Sequence, residues 1–131
     1  MIRQTAIADA LKEHLAALPS KPPVVWENQD SVPPSMPYLV ATPVRGEPAR
    51  LTHDGVHTYP GLLQVSVVVA SGTGSRAAYD LAETVAAHFH GADLSPDGGR
   101  LRITDQPQIM EGYQDGARFR VPVLIRYSLI A

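Results

Sequence analysis

The sequence contains no cysteine among its 131 residues. A chain without thiols forms no disulfide framework, no Cys-based zinc site and no cysteine nucleophile. Aromatic residues make up only 6% of the chain, and 11 basic residues against 13 acidic ones give a net charge of −2. Because the chain is not a polycation, we expect no avid nonspecific binding to nucleic acid or to anionic lipid.

Long apolar runs are also missing. No stretch approaches the length of a membrane span. The first twenty residues do not resemble a signal peptide, because they are interrupted by Arg3, Asp9, Lys12, Glu13 and His14. We therefore expect a soluble intracellular protein without a membrane partner. The length suits one domain, which we predict to span residues 1–131.

Apolar residues at helical spacing predict two helices. The first covers residues 2–18 and ends at Pro19; its apolar stripe consists of Ile7, Leu11, Leu15 and Leu18. The second covers about residues 75–90; its apolar stripe consists of Ala78, Leu81, Ala82, Val85 and Phe89.

Strands are predicted between and after the helices, and alternation is clearest at 63–69 and 118–129. Shorter extended pieces are predicted at 24–27, 38–41 and 100–104. The predicted order is α-β-β-β-α-β-β-β, which includes a third strand after the second helix to which no bounds are assigned. It predicts an α+β fold with a mostly antiparallel (mixed) β-sheet and two helices packed on one face.

Residues 44–61 favour a projecting polar hairpin. Asp54-Gly55 is a strong hairpin-turn signal. Pro43, Pro48 and Pro60 remove ladder donors, so we expect both arms to lie at an edge or to protrude. The candidate contact residues on this hairpin are Arg45, Arg50, His53, His57 and Tyr59.

The stretch Gly72-Thr73-Gly74-Ser75-Arg76-Ala77 matches G-x-G-x-x-A between a predicted strand and a predicted helix. That context suits pyrophosphate at a helix N-terminus, so a small nucleotide-binding enzyme is one interpretation. The other interpretation is a tight turn that needs permissive glycines, with Ser75 as a helix cap. The second is favoured, because the preceding strand alternates whereas strands of a doubly wound sheet are continuously apolar.

Catalytic and metal-binding patterns are weak. His53, Asp54 and His57 carry groups that ligate zinc or nickel, but no third ligand is evident nearby. No Ser lies in a G-x-S-x-G elbow, and the carboxylates are scattered singly. We predict no catalytic residue, no cofactor and no metal.

Arginines mark one face of the final strand. Arg118, Arg120 and Arg126 alternate along it and are predicted to lie beside Arg100 and Arg102. One interpretation is a surface that faces a partner or an anion. The other is the solvated side of an amphipathic sheet.

Several stretches, taken in order, resemble a known family. After the N-terminal helix they are Val24-Val25-Trp26-Glu27-Asn28, the proline-rich run into Tyr38-Leu39, Gly61-Leu62-Leu63-Gln64-Val65-Ser66-Val67, Gly72-Thr73-Gly74 and Val121-Pro122-Val123-Leu124-Ile125-Arg126-Tyr127. Together they are similar to the tail terminator-like family of long-tailed bacteriophages and prophages, which has the lambda-type tail-completion fold. The family offers no catalytic residues.

The resemblance implies a structural protein of the virion tail. Such a protein forms a hexameric ring that caps the tail tube and docks the head connector, while DNA passes through the lumen only as cargo. Assembly would take place in the host bacterial cytoplasm. Another head–tail connector, a minor tail protein and a ligand-binding regulatory module remain alternatives. The predicted interface residues are those of the hairpin together with Arg118, Arg120 and Arg126.

Overall fold

Two long antiparallel strands form the centre of the sheet. The computed structural model describes residues 3–19, 22–26, 36–50, 55–72, 74–103 and 105–131. In chain order its elements are α1 (Gln4–Ala16), β1 (Val24–Trp26), β2 (Tyr38–Arg45), β3 (Ala49–Arg50), β4 (His57–Ala70), α2 (Arg76–Phe89), β5 (Asp93–Leu94), a short 3₁₀ turn (Pro96–Gly98), β6 (Arg100–Arg102), β7 (Gln108–Ile109), β8 (Tyr113–Asp115) and β9 (Arg118–Ile130). The α+β prediction is confirmed.

The main path of the sheet runs β1-β2-β4-β9-β6-β5. Strand β3 also pairs with β4, and β7 and β8 also pair with β9. The pairing of β1 with β2 is parallel, and the other pairings are antiparallel. The mixed, mostly antiparallel sheet is therefore confirmed, and the order of elements is close to the predicted one. Strand β3 falls within the hairpin predicted over residues 44–61. No bounds were predicted for β5, β7 and β8, because two or three residues are too few to show a period.

One face of the sheet carries the core. Directly opposite residues in β4 and β9, such as Val65 and Val123, are both fully buried. The buried odd-numbered residues of these strands form one cluster with the buried residues of both helices, including Ile7 and Phe89. Helix α2 contacts β4 and β9. We call this side of the sheet the core face and the opposite side the outer face.

Both helices lie close to their predicted bounds, but one predicted contact is absent. Ser75 occupies the N-cap position of α2, yet its side chain makes no capping hydrogen bond. The prediction of a side-chain cap is therefore wrong. Gly72 and Gly74 have φ values of 84° and 85°, so both need the left-handed conformation that glycine adopts at little cost. Thr73, between them, lies outside the described residues.

The predicted projecting hairpin is wrong for residues 57–61. Strand β4 begins at His57 and pairs with β9 from Thr58 onward, so this arm belongs to the sheet. Pro60 is tolerated within β4. In an antiparallel strand the backbone N and C=O of one residue point to the same neighbouring strand, and in Pro60 both point away from β9. Its carbonyl accepts a hydrogen bond from the backbone N–H of Gly46 at 2.9 Å. Its missing donor therefore faces the break between β2 and β3 and costs no bond with β9.

Candidate interaction surface

The strand register divides the predicted contact residues between the two faces. Arg45 lies opposite Gly61, and Tyr59 lies opposite Leu129, so both belong to the core face. Arg50 lies opposite His57, on that same face. Arg118, Arg120 and Arg126 are even-numbered residues of β9 and lie on the outer face. His53 lies outside the described residues. The structure therefore does not bring the two predicted groups together.

At one end of the outer face, three rows of paired residues run across neighbouring strands. Their members, in order across the sheet, are Val44, Leu62 and Arg126; then Pro60, Ser128 and Arg102; then Thr58, Ile130 and Arg100. We call Val44, Leu62, Arg100, Arg102, Arg126, Ser128 and Ile130 the outer patch. The predicted neighbourhood of the last-strand arginines with Arg100 and Arg102 is thus present for Arg126.

Apolar side chains at the outer patch are unusually accessible. The exposed fraction of the residue surface is 46% for Val44 and 49% for Ile130. A hollow of about 360 Å³ lies among Arg100, Arg102, Ser128 and Ile130. The patch therefore combines exposed aliphatic surface with guanidinium groups, a composition suited to protein contacts.

The charge of the outer patch is only partly compensated. Arg100 forms an ion pair of 2.9 Å with Asp93, and this hydrogen bond lowers the pKa of the Asp93 carboxyl. Arg126 donates to the side-chain carbonyl of Gln108 at 3.2 Å. Arg102 lies opposite Asp93 and adds to the lowering of its pKa, but among the described residues neither Arg102 nor Arg126 forms an ion pair. The patch is therefore net positive.

The other two predicted arginines make contacts within the chain. Arg120 pairs with Asp115 at 2.8 Å and connects β9 to the end of β8. The Arg118 guanidinium lies 5.9 Å from the ring centroid of Tyr38. Both therefore stabilise the opposite end of the outer face. The aliphatic members of the patch were missed as site residues, although Ile130 and Val44 stand at outward positions where polar residues are usual.

The hairpin residues surround a second hollow. A space of about 770 Å³ is lined by Arg3, Gln4, Thr5, Pro48, Gly55, His57 and Tyr59. The His57 Nδ1 atom lies 2.7 Å from the carbonyl oxygen of Gly55. Tyr59 is buried, so it offers little surface to a partner. Burial raises the pKa of Tyr127, and the charge of Arg45 opposes that shift.

The strand directions around the glycine turn differ from those of a nucleotide-binding fold. Strand β4, which precedes the glycine turn, is antiparallel to both β2 and β9, whereas a doubly wound nucleotide fold needs parallel strands there. Within the described ranges, no three His, Asp or Glu residues are grouped to hold a metal ion. Asp54 lies outside those ranges. No described helix is both long and apolar enough to cross a membrane.

Comparison with known proteins defines the class. The chain matches the model of the phage tail terminator protein family over residues 6–127. It therefore belongs to this family and is a structural protein of the phage tail. The predicted resemblance is confirmed.

Solved structures share the fold over nearly the whole chain. One is 26% identical, has a TM-score of 0.74, and aligns over 98% of this chain and 96% of its own. A chain from the virion of a native gene transfer agent particle is 20% identical, with a TM-score of 0.63 and coverages of 99% and 96%. No curated protein matches the chain.

Proposed function

We propose that this chain ends tail-tube growth as a six-membered ring and joins the tube to the head connector. The observation that carries the proposal is the family match over residues 6–127. In this proposal residues 1–131 act as one tail terminator-like domain, without cofactor or catalysis. The chain assembles in the host bacterial cytoplasm and remains in the virion tail.

The size of the chain is compatible with a ring around DNA. A chain of this length has a radius of gyration of about 14 Å, equivalent to a body roughly 36 Å across. Six such bodies around a ring leave a central hole of similar width, which passes a DNA duplex. A net charge of −2 suits a lumen that DNA crosses as cargo without strong attraction.

Capping requires two different ends. One end of the ring copies the contacts that a tube ring makes, and the other end does not, so that no further ring adds. We propose that the hairpin formed by β3 and the start of β4 contacts the tube or the connector. Its accessible cation is Arg50, which lies opposite half-buried His57, and Arg45 at the end of β2 adds a second exposed cation. His53 belongs to the same proposed contact.

We propose that the outer face contributes the ring interface or the lumen. Its contact is centred on Arg126, because Arg118 and Arg120 are held by Tyr38 and Asp115. A rotationally closed ring needs heterologous contacts, in which one surface of a subunit meets a different surface of the next. The outer patch supplies one such surface.

The test is tail length in particles produced without this chain. Tubes that lack the cap should keep growing, so negative-stain images should show tails longer than normal and heads without tails. Expression of the intact chain in trans should restore the normal length. Tails of normal length without the chain would overturn the proposal, and normal tails that fail to join heads would indicate a connector function instead.

A further inference from the structure

We propose that the outer patch of one copy docks into an acidic groove beside α1 of the next copy. This inference rests on the proposed ring, and it names the two surfaces that meet. The groove is a hollow of about 520 Å³ between α1 and the segment before β6. We call it the α1 groove, and its lining relevant here is Ala6, Asp9, Ala10, Glu13, Ala17 and Asp97.

Two carboxylates of the α1 groove form no ion pair. Asp9 and Glu13 stand one helical turn apart and are both exposed. Within the described part of the chain, no Lys or Arg lies within ion-pair distance of either carboxylate. Arg3 also lines the groove, and although its charge interacts with Asp9, its guanidinium pairs with Asp97 at 2.8 Å. Lys12 instead lies 5.7 Å from the ring centroid of Trp26.

The floor of the groove is shaped to admit side chains. Ala6, Ala10 and Ala17 recur at helical spacing along it, and their methyl groups leave room between the carboxylates. Long guanidinium side chains from a neighbour can therefore reach Asp9 and Glu13, while an aliphatic side chain covers the alanines.

The outer patch has the matching chemistry. Arg102 and Arg126 form no ion pair among the described residues. Arg102 lies opposite Asp93, but that carboxylate is held by Arg100 at 2.9 Å. Ile130 stands beside the two arginines with 49% of its surface exposed. Two outer patches facing each other would place like charges together, and so would two α1 grooves. Patch against groove pairs opposite charges, so the contact is head-to-tail between copies of this chain.

Charge reversal tests both surfaces. We expect Arg102→Glu with Arg126→Glu to abolish self-association, and Asp9→Arg with Glu13→Arg to do the same. A chain with all four substitutions should associate again, because its reversed patch meets a reversed groove. Each variant is checked for unchanged thermal unfolding, since the substituted side chains are largely exposed.

Disulfide trapping gives a readout even where association is weak. The chain has no cysteine, so every disulfide comes from an introduced pair. Ala10→Cys combined with Ile130→Cys should give, on mild oxidation, a ladder of dimers, trimers and larger species on a non-reducing gel. Each single substitution should give at least tenfold less cross-linked product. Glu83→Cys with Ile130→Cys is the matched control and should give no ladder.

The inference is overturned if the variant with all four charge reversals does not regain self-association. It is equally overturned if Asp9→Arg with Glu13→Arg self-associates as the unsubstituted chain does. It is also overturned if the Ala10→Cys and Ile130→Cys pair gives no more product than the Glu83→Cys control. These outcomes leave the capping proposal standing when tails still overgrow without the chain. Conversely, a specific ladder together with normal tails in the absence of the chain supports the contact and removes the capping function.

Discussion

The hydroxyl oxygen of Tyr79 accepts a 2.8 Å hydrogen bond from the backbone N–H of Gly112. Tyr79 lies on α2, and Gly112 lies directly before β8. The Tyr79 ring also meets the Phe119 ring edge-on, with centroids 6.4 Å apart. These contacts tie the connection between β7 and β8 to the helix.

We predict that Gly112→Ala destabilises the fold. A Cβ atom at this position would overlap the Phe119 ring and lie 3.0 Å from the Tyr79 hydroxyl. Overpacking of this kind costs about 1–3 kcal/mol of unfolding free energy. Tyr79→Phe keeps the ring and removes the bond, at a cost of about 1 kcal/mol. Urea unfolding of the two variants measures both values, and wild-type stability of Gly112→Ala would contradict the packing.

His14 and His88 join the ends of the two helices. Their rings stack with centroids 4.2 Å apart, and each Nε2 atom bonds to the backbone carbonyl of the other residue. Because a carbonyl only accepts, both Nε2 atoms carry a hydrogen. We predict that His88→Ala lowers the unfolding free energy by about 1–3 kcal/mol, through the lost bonds and stacking.

The control for this pair is His90→Ala, an exposed residue directly after α2, with an expected effect within about 0.5 kcal/mol. A double-mutant cycle between His14→Ala and His88→Ala should give a coupling energy of about 0.5–3 kcal/mol. Additive effects in denaturant unfolding would show that the stacked pair does not act as a unit.

The Asp97 carboxylate should make the free energy of unfolding depend on pH in the acidic range. Hydrogen bonds from the Arg3 side chain and backbone lower the pKa of Asp97 from 3.8 to about 2. A lowered folded-state pKa contributes stability that is complete above about pH 4 and lost as the pH falls through about 2. Unfolding of the intact chain should therefore weaken across this window.

Asp97→Asn tests this dependence. Asp97 has a φ of 49°, which asparagine tolerates, so the substitution mainly removes the charge. The stability difference from the intact chain should be constant between about pH 5 and 8 and shrink towards zero near pH 2. Asp105→Asn, which removes a carboxylate at an exposed position, is the matched control for the change of net charge. A difference that persists unchanged at pH 2 would contradict the assignment.

Much of the fold could be predicted because local pattern and tertiary burial agree. Ile7, Leu11 and Leu15 repeat at helical spacing and are all buried. Val121, Val123 and Ile125 alternate along β9 and are likewise buried. Such regular residues report which side of an element faces the core, whatever the neighbouring element is.

The hairpin was harder because its behaviour depends on the neighbouring strands. Pro60 indicates an edge when the sequence is considered alone, since it lacks a donor. In the structure, the nitrogen of Pro60 faces the break between β2 and β3, where no acceptor requires a donor. Only the three-dimensional contact of Gly46 with Pro60 shows this. Tyr59 consequently enters the core, although its polar surroundings in the sequence suggested exposure.

The candidate surface was predicted in part. The alternating pattern indicated that Arg126 faces away from the core. Arg102 was expected to lie beside Arg126. The pattern could not indicate that Asp115 engages Arg120 while Arg126 has only Gln108. Nor could it join Val44 to Ile130, which belong to strands on opposite sides of β4.

The amino-acid sequence alone determined the two amphipathic helices, the long alternating strands and the family resemblance, because each depends on spacing along the chain. The tertiary structure decided which arginines form ion pairs and which prolines fit into a strand. It also decided that the His14 ring stacks on the His88 ring. Those properties depend on register and on contacts between residues distant in sequence, such as the pairing of β4 with β9. Spacing along one segment carries no information about what lies across from it.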